Sequence, residues 1–505
     1  MKAEAARLFS GWRDRATIED VSTTLLRGAM FAAAGSHLAF FFFVAAGRLV
    51  YPYELEWIEG GLADEVLAIL RGQALYAPPN IHRVAFIYPP LYFYLSAVVA
   101  RLVGAGFLPL RLVSFAATAA TFGLIFAMAR RAGGGHAAGL LAAGLFAATF
   151  KIGGGWLDLA RVDALFVALF LAGAYVLQRS RGGQGYALAG ALLALSFLTK
   201  QSALLLTLPL AAYAVYADRR RGWLLGASFG AVALAASALF DWTSQGWYGY
   251  YVFNGAASQP VVLSMGELFW RMLPGRLAPA LMAGLGFIVL EWRARRPVAL
   301  WLALLAGTMG TALWVLLHLG AAENNVLPAF AVLAVVAGRG VERLARLAAS
   351  LPGSRRAAAL ALIFGLVVWQ LWRLAYNPLN YVPADSNRLA GQALVQRLAQ
   401  VNGEVLVPQH GLVAWLAGKP GYAHLAAIDD VIDTGGPPAA QLLNDIRAAL
   451  CARRFALVVV DSADFGQRFP ELEQNYVVAE NLPLGDAFYT VKGRRTLPEI
   501  VYMPR

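Results

Sequence analysis

Glu54, Glu56 and Glu59 stand together in the stretch "YELEWIEGG". Carboxylates held this close raise one another's proton affinity, which suits a general base. If the segment from residue 54 onward is helical, Glu56 and Glu59 share a face while Glu54 points elsewhere. Other groups able to do chemistry recur in short clusters. Asp158, Arg161 and Asp163 lie in one segment, and Lys200 is next to Gln201. Glu323, Asn324 and Asn325 run together near His318. The set mixes acids, cations and amides, the material of a catalytic or ion-binding pocket.

These groups are set in an apolar chain. Of 505 residues, 59% are hydrophobic and 14% charged, against about 25% charged in soluble domains. The apolar residues come in long runs such as "LALLAGTMGTALWVLL", which read as membrane-spanning helices. Ionisable groups in such a setting are costly unless they pair or face a polar cavity. The net charge of +12 is carried by short basic segments: "ARRAGGGH", "QRSRGG", "DRRRG" and "EWRARRP". Segments of that kind mark cytoplasmic loops, so the charge points to a membrane rather than to nucleic acid. Cys451 is the only cysteine, so no intrachain disulfide or multi-thiolate metal site can form.

Alternation of basic and less basic loops places every cluster above on the outer side. Residues 1–27 read as a cytoplasmic segment without a signal-peptide pattern. Residues 28–375 read as a polytopic α-helical module of about eleven spans, with a first outer loop at 51–87. The apolar stretch 88–103 is short and opens on Pro89-Pro90, so it reads as re-entrant or surface-lying, although three crossings in that region would serve the topology equally well. Residues 376–505 are more polar. The runs "EVLVP", "FALVVVD", "YVVAEN" and "AFYTVKG" alternate with helix-like "GLVAWLAG" and "AQLLNDIRAALCARR", which gives an outer α/β domain.

Each cluster has a plainer reading. Asp158 and Arg161 stand three apart and can be a helix-surface pair. Lys200 can snorkel to the interface. Asp64 and Glu65 read best as a solvated helix face, and His318 as a structural helix-end residue. Glu323, Asn324 and Asn325 can cap the next helix. The aromatic run "WYGYYVFN" can gate a pocket, but an interfacial belt is the preferred reading.

The first outer loop, "EWIEGGLADEVLAILRGQALYAPPN…FIYPPLYFYL", resembles that of the GT-C glycosyltransferases, which include lipid A aminoarabinose transferases and protein O-mannosyltransferases. The matching elements are Glu56 with Glu59-Gly60, then Gly72-Gln73-Ala74-Leu75-Tyr76, then Tyr88-Pro89-Pro90-Leu91. The tail "LVPQHGLVAWLAGKP" is also similar to bacterial members. The family's acid is usually aspartate; here glutamates fill the motif. The resemblance implies inverting transfer of a sugar from a polyprenyl-phosphate donor to a lipid, glycan or protein acceptor, at the outer face of a bacterial cytoplasmic membrane. Glu59, followed by Glu56, is the expected base. Lys200 and Arg161 are expected at the donor phosphate. Asp158, Asp163, Gln201, Tyr88, His318, Glu323 and Asn324 are expected around the pocket. Some relatives use a divalent metal such as Mg or Mn, which carboxylates can hold, but no motif here requires one. The rival readings are a transporter or flippase of a lipid-linked saccharide, and a non-catalytic scaffold. A transporter would place its charges near the midplane, often with internal repeats, and neither feature is visible.

Overall fold

The computed structural model describes residues 2–482 and 496–505, with side chains described from residue 21 onward. Among the described residues, seven helical segments are long and apolar enough to cross a membrane. They are Val21–Leu49, Phe107–Arg131, Arg219–Thr243, Leu263–Arg293, Ala299–Leu316, Glu323–Ala349 and Gly353–Arg373. Further apolar helices, His136–Ala148, Gly183–Phe197 and Ala203–Ala217, are shorter. The expected eleven spans therefore exceed the number that length and apolarity alone support. Leu91–Val103 has 13 residues, about 20 Å at 1.5 Å per residue, against a hydrocarbon core of about 30 Å. Alone it cannot cross. Its exposed Tyr94, Leu95, Val98 and Leu102 form an apolar face suited to lying along a membrane surface.

Helix Leu327–Ala349 runs through the middle of the bundle and is buried over most of its length. Close approach explains its small residues. A Cβ on Gly340 would sit 1.8 Å from the Ala283 carbonyl oxygen, so only glycine lets the two backbones meet there. At one end of this helix the basic segments gather. Arg339 and Arg346 pair with Glu342, Gly135 N–H donates to Glu342, and Arg343 Nε lies 2.7 Å from Glu291.

The chain after the last long helix forms a four-stranded sheet of Glu404–Leu406 (β1), Phe455–Val460 (β2), Tyr476–Asn481 (β3) and Ile500–Pro504 (β4). Its order is β1-β2-β4-β3. β1 and β2 are parallel, and β4 runs antiparallel to both its neighbours. Three of the four strand-like runs fall on β1, β2 and β3; "AFYTVKG" lies wholly outside the described residues. "GLVAWLAG" gives helix Gly411–Leu416, and "AQLLNDIRAALCARR" lies mostly within Gly436–Cys451. Helix Leu425–Thr434, unforeseen in the sequence, packs its apolar Leu425, Ile428 and Val431 inward. It rests against the aromatic turn Tyr250–Gly255. Tyr248 and Tyr251 are buried there, and the Tyr251 hydroxyl donates to the Ala77 carbonyl. Part of the aromatic run thus packs against the first loop, while Phe253 stays exposed.

Candidate active site

The helix expected from residue 54 begins at Glu59 (Glu59–Leu70), so Glu56 and Glu59 do not share a helical face. They point to different arginines. Glu59 is fully buried, and its oxygens accept four hydrogen bonds. Arg111 Nε and Nη2 donate at 3.2 and 2.7 Å, and the backbone N–H groups of Ala160 and Leu55 donate at 2.6 and 2.7 Å. Arg111 uses its remaining N–H groups on the carbonyls of Arg48, Tyr51 and Tyr53. This network ties the start of the first loop to helix Phe107–Arg131 and leaves Glu59 no open lone pair.

Glu56 pairs instead with Arg161, whose Nη1 lies 3.3 and 3.2 Å from its two oxygens; Ile58 N–H donates to one of them. Burial pushes the Glu56 carboxyl up to about 7, against the opposing pull of Arg161. Arg161 Nη2 donates to the Tyr88 hydroxyl at 3.0 Å, and the guanidinium lies 4.7 Å from the Trp156 ring centroid. The fork of Arg161 is thus held on three sides.

Asp163 links the second cation to the first. Lys200 Nζ donates to Asp163 Oδ1 at 2.7 Å and to Asn325 Oδ1 at 2.9 Å. Asn324 Nδ2 donates to the same Asp163 oxygen at 3.0 Å, and Arg161 Nε stands 3.7 Å from Oδ2. Lys200 is therefore part of a paired network and not a snorkelling side chain. Glu323, Asn324 and Asn325 form a short 3-10 turn, Glu323–Val326, which delivers the amides to Asp163 and Lys200. Gln201 Nε2 donates to the carbonyls of Ile87 and Val252.

A cavity of about 400 Å³ opens on these groups. Tyr88, Arg161, Lys200, Gln201, His318 and Asn324 line it, and Leu204, Leu205, Trp314 and Leu319 make one flank apolar. Five expected residues do not line it: Glu56, Glu59, Asp158, Asp163 and Glu323. Glu56 and Asp163 lie one layer behind, holding the cations. Asp158 is remote from this role. It forms no pair with Arg161; Arg48 Nη1 donates to it at 2.7 Å. The lining also includes Asp430, from helix Leu425–Thr434, which the sequence reading missed. A larger cavity of about 640 Å³ between the first loop and residues 415–424 contains none of the expected residues.

A second charged cluster joins the first loop to the C-terminal sheet. His410 Nδ1 lies 2.6 Å from Glu54 Oε2, and its Nε2 lies 2.8 Å from Asp461 Oδ1. Gly411 sits so near Asp64 that a Cβ there would be 2.1 Å from a carboxylate oxygen. Glu65 is buried too, accepting from Arg83 and from Phe86 N–H, so this helix presents no solvated acidic face. His410 is pulled two ways: burial lowers its proton affinity, while Asp461 and then Glu54 raise it, and the net is about 10. Because the folded value lies above the unfolded one, near 6.5, the stabilisation is full below pH 6.5 and is lost as pH rises through 10. The thermal midpoint of the purified protein is expected to fall between pH 7 and 10, and His410→Gln is expected to flatten that fall. An unchanged slope in the variant would show that the contacts of His410 with Glu54 and Asp461 do not carry the fall.

Among the described residues, no three His, Cys, Asp or Glu side chains are grouped so as to hold a metal ion by themselves.

The family model described as dolichyl-phosphate-mannose-protein mannosyltransferase matches residues 88–242, the span that carries Tyr88, Arg161, Asp163 and Lys200. Among solved structures, the chain is similar to ArnT from Cupriavidus metallidurans bound to undecaprenyl phosphate. The two are 13% identical, over 93% of this chain and 97% of that one, with a TM-score of 0.59; the apo form of ArnT gives 0.58. It is also similar to the archaeal oligosaccharyltransferase AglB from Archaeoglobus fulgidus, in complex with an inhibitory peptide and a dolichol-phosphate. There the identity is 11%, over 86% of this chain and 70% of that one, with a TM-score of 0.52. At these identities the likeness is one of fold. No curated protein matches the chain.

Proposed function

We propose that this chain is a membrane glycosyltransferase of the GT-C type, as its matches support, and that it moves a sugar from a polyprenyl-phosphate carrier to a hydroxyl acceptor. One observation carries the reading: Arg161 and Lys200 face a single cavity whose adjoining flank is apolar. A lipid phosphate needs that combination, cations for the head and a greasy side for the tail. Two of the similar solved structures hold a polyprenyl phosphate of this kind.

The chemistry follows from charge. As the bond between the anomeric carbon and the phosphate oxygen breaks, negative charge gathers on the phosphate. Arg161 can meet it with a planar fork and Lys200 with a point charge. Both are pre-oriented by Glu56 and Asp163, so little reorganisation is needed when the charge develops. Attack from the opposite face of the sugar inverts the anomeric centre. Glu56 is the first-loop carboxylate coupled to this site, through Arg161, while Glu59 braces the loop. With the basic segments in the cytoplasm, the cavity and the C-terminal domain lie at the outer face of the membrane, and residues 28–375 carry the crossings. The charges cluster at one end of the bundle, not at its midplane, which favours a transferase over a transporter.

The test uses purified full-length protein and undecaprenyl phosphate. Native mass spectrometry is expected to detect the lipid on the wild type and a weakened complex for Lys200→Ala. In cells lacking the protein, one envelope glycan is expected to disappear while a prenyl-phosphate sugar accumulates. Unchanged glycans together with no bound lipid would reject the reading.

A further inference from the structure

Resting on the transferase reading, we propose that Asp430, contributed by the C-terminal domain, takes the proton from the acceptor hydroxyl. A general base must reach its proton at about 2.6–3.2 Å, so it must open on the cavity. The buried acids around the site do not. Glu59 is saturated by Arg111 and two backbone N–H groups. Glu56 is enclosed, with both oxygens against Arg161. Asp163 lies behind Lys200 and Asn324. Among the described residues, Asp430 is the carboxylate in the cavity wall.

Its placement is firm. Gln259 Nε2 donates to Asp430 Oδ1 at 3.1 Å. Oδ2 has no hydrogen-bond partner among the described residues and is free to accept. Helix Leu425–Thr434 is capped by His424, whose Nδ1 accepts from Ala426 N–H, and Thr434 lies 3.3 Å from the Ser258 hydroxyl. Asp430 and Tyr88 line the same cavity, and Arg161 donates to the Tyr88 hydroxyl. An acceptor between Asp430 and the Arg161–Lys200 pair therefore has its base on one side and the leaving phosphate on the other. Burial, then the neighbouring Asp433, pushes the Asp430 carboxyl up to about 7, close to the value that serves a base at neutral pH.

The step balances. The acceptor O–H proton passes to Asp430, and the acceptor oxygen bonds to the anomeric carbon. The bond from that carbon to the phosphate oxygen breaks, and its electron pair leaves with the polyprenyl phosphate. Asp430 then releases its proton to water.

The experiment compares wild type, Asp430→Asn, Asp430→Glu and a strain without the protein. It measures envelope glycan by mass spectrometry, undecaprenyl phosphate bound to the purified full-length chain, and the pH dependence of product formation in membranes. Asp430→Asn is expected to keep lipid binding and lose product at least about 100-fold. Asp430→Glu is expected to recover part of the rate with a displaced acid limb in the pH profile. Product from Asp430→Asn above a tenth of wild type overturns the proposal, and so does loss of lipid binding together with product, which makes Asp430 structural. If the wild type itself neither binds the lipid nor alters any glycan, the transferase reading fails first and takes this one with it.

Discussion

Arg161→Ala is expected to lower sugar transfer by about 100- to 1000-fold, the scale seen when a donor aimed at developing charge is removed. The loss has two sources in the geometry. The phosphate loses a cation already oriented by Glu56, Tyr88 and the Trp156 ring. The Glu56 carboxylate loses its counter-charge while remaining buried, so it takes up a proton. Arg161→Lys is expected to rescue little, because an ammonium cannot hold a carboxylate, a phenol and an oxyanion in one plane. Product formation in membranes, with the amount of folded protein measured by size exclusion, checks both variants. Lysine activity equal to wild type would show that only charge matters at this position.

Glu59→Ala carries the largest expected effect on stability. Removing one member of a buried ion pair costs about 3–5 kcal/mol, because the partner charge is left unmatched. Arg111 would keep its three carbonyl partners but lose its only carboxylate, and Ala160 and Leu55 would each hold an unpaired N–H. A sharply lower thermal midpoint and poor recovery from detergent are expected. Glu59→Gln separates bracing from catalysis. The amide fills the space but places an NH₂ against the Arg111 and backbone donors, so its midpoint should fall too. A Glu59→Gln protein as stable as wild type yet inactive would give Glu59 a chemical part that the geometry denies it.

The glutamates were conspicuous in the sequence because the chain around them is apolar, and the same contrast exposed Arg161, Lys200 and Asn324. Their pairing was not legible. Glu59 meets Arg111 and Asp158 meets Arg48 across long sequence separations, and no helical or strand period connects such partners. Arg48 and Arg111 themselves lie beside apolar runs, and nothing in their spacing ties them to the acids. Asp430 was hidden for the opposite reason: acids are ordinary on a soluble helix, and nothing local says that this one shares a cavity with Arg161 and Lys200. The apolar spacing of Leu425, Ile428 and Val431 could have revealed its helix, but not its orientation. The sheet was legible in β1, β2 and β3 from their β-branched runs, while β4 was missed because "IVYMP" is short and ends in proline.

The joint of Glu54, His410 and Asp461 has a consequence for how such a protein is made. Synthesis runs from the N-terminus, so the first loop and every long apolar helix exist before residue 410 leaves the ribosome. Until then Glu54 has no imidazole to meet, and the wall of the cavity that carries Asp430 has not been built. A nascent chain is therefore already seated in the bilayer while its reaction chamber stands open to water, and the segment that shuts it is translated after the helices it closes against.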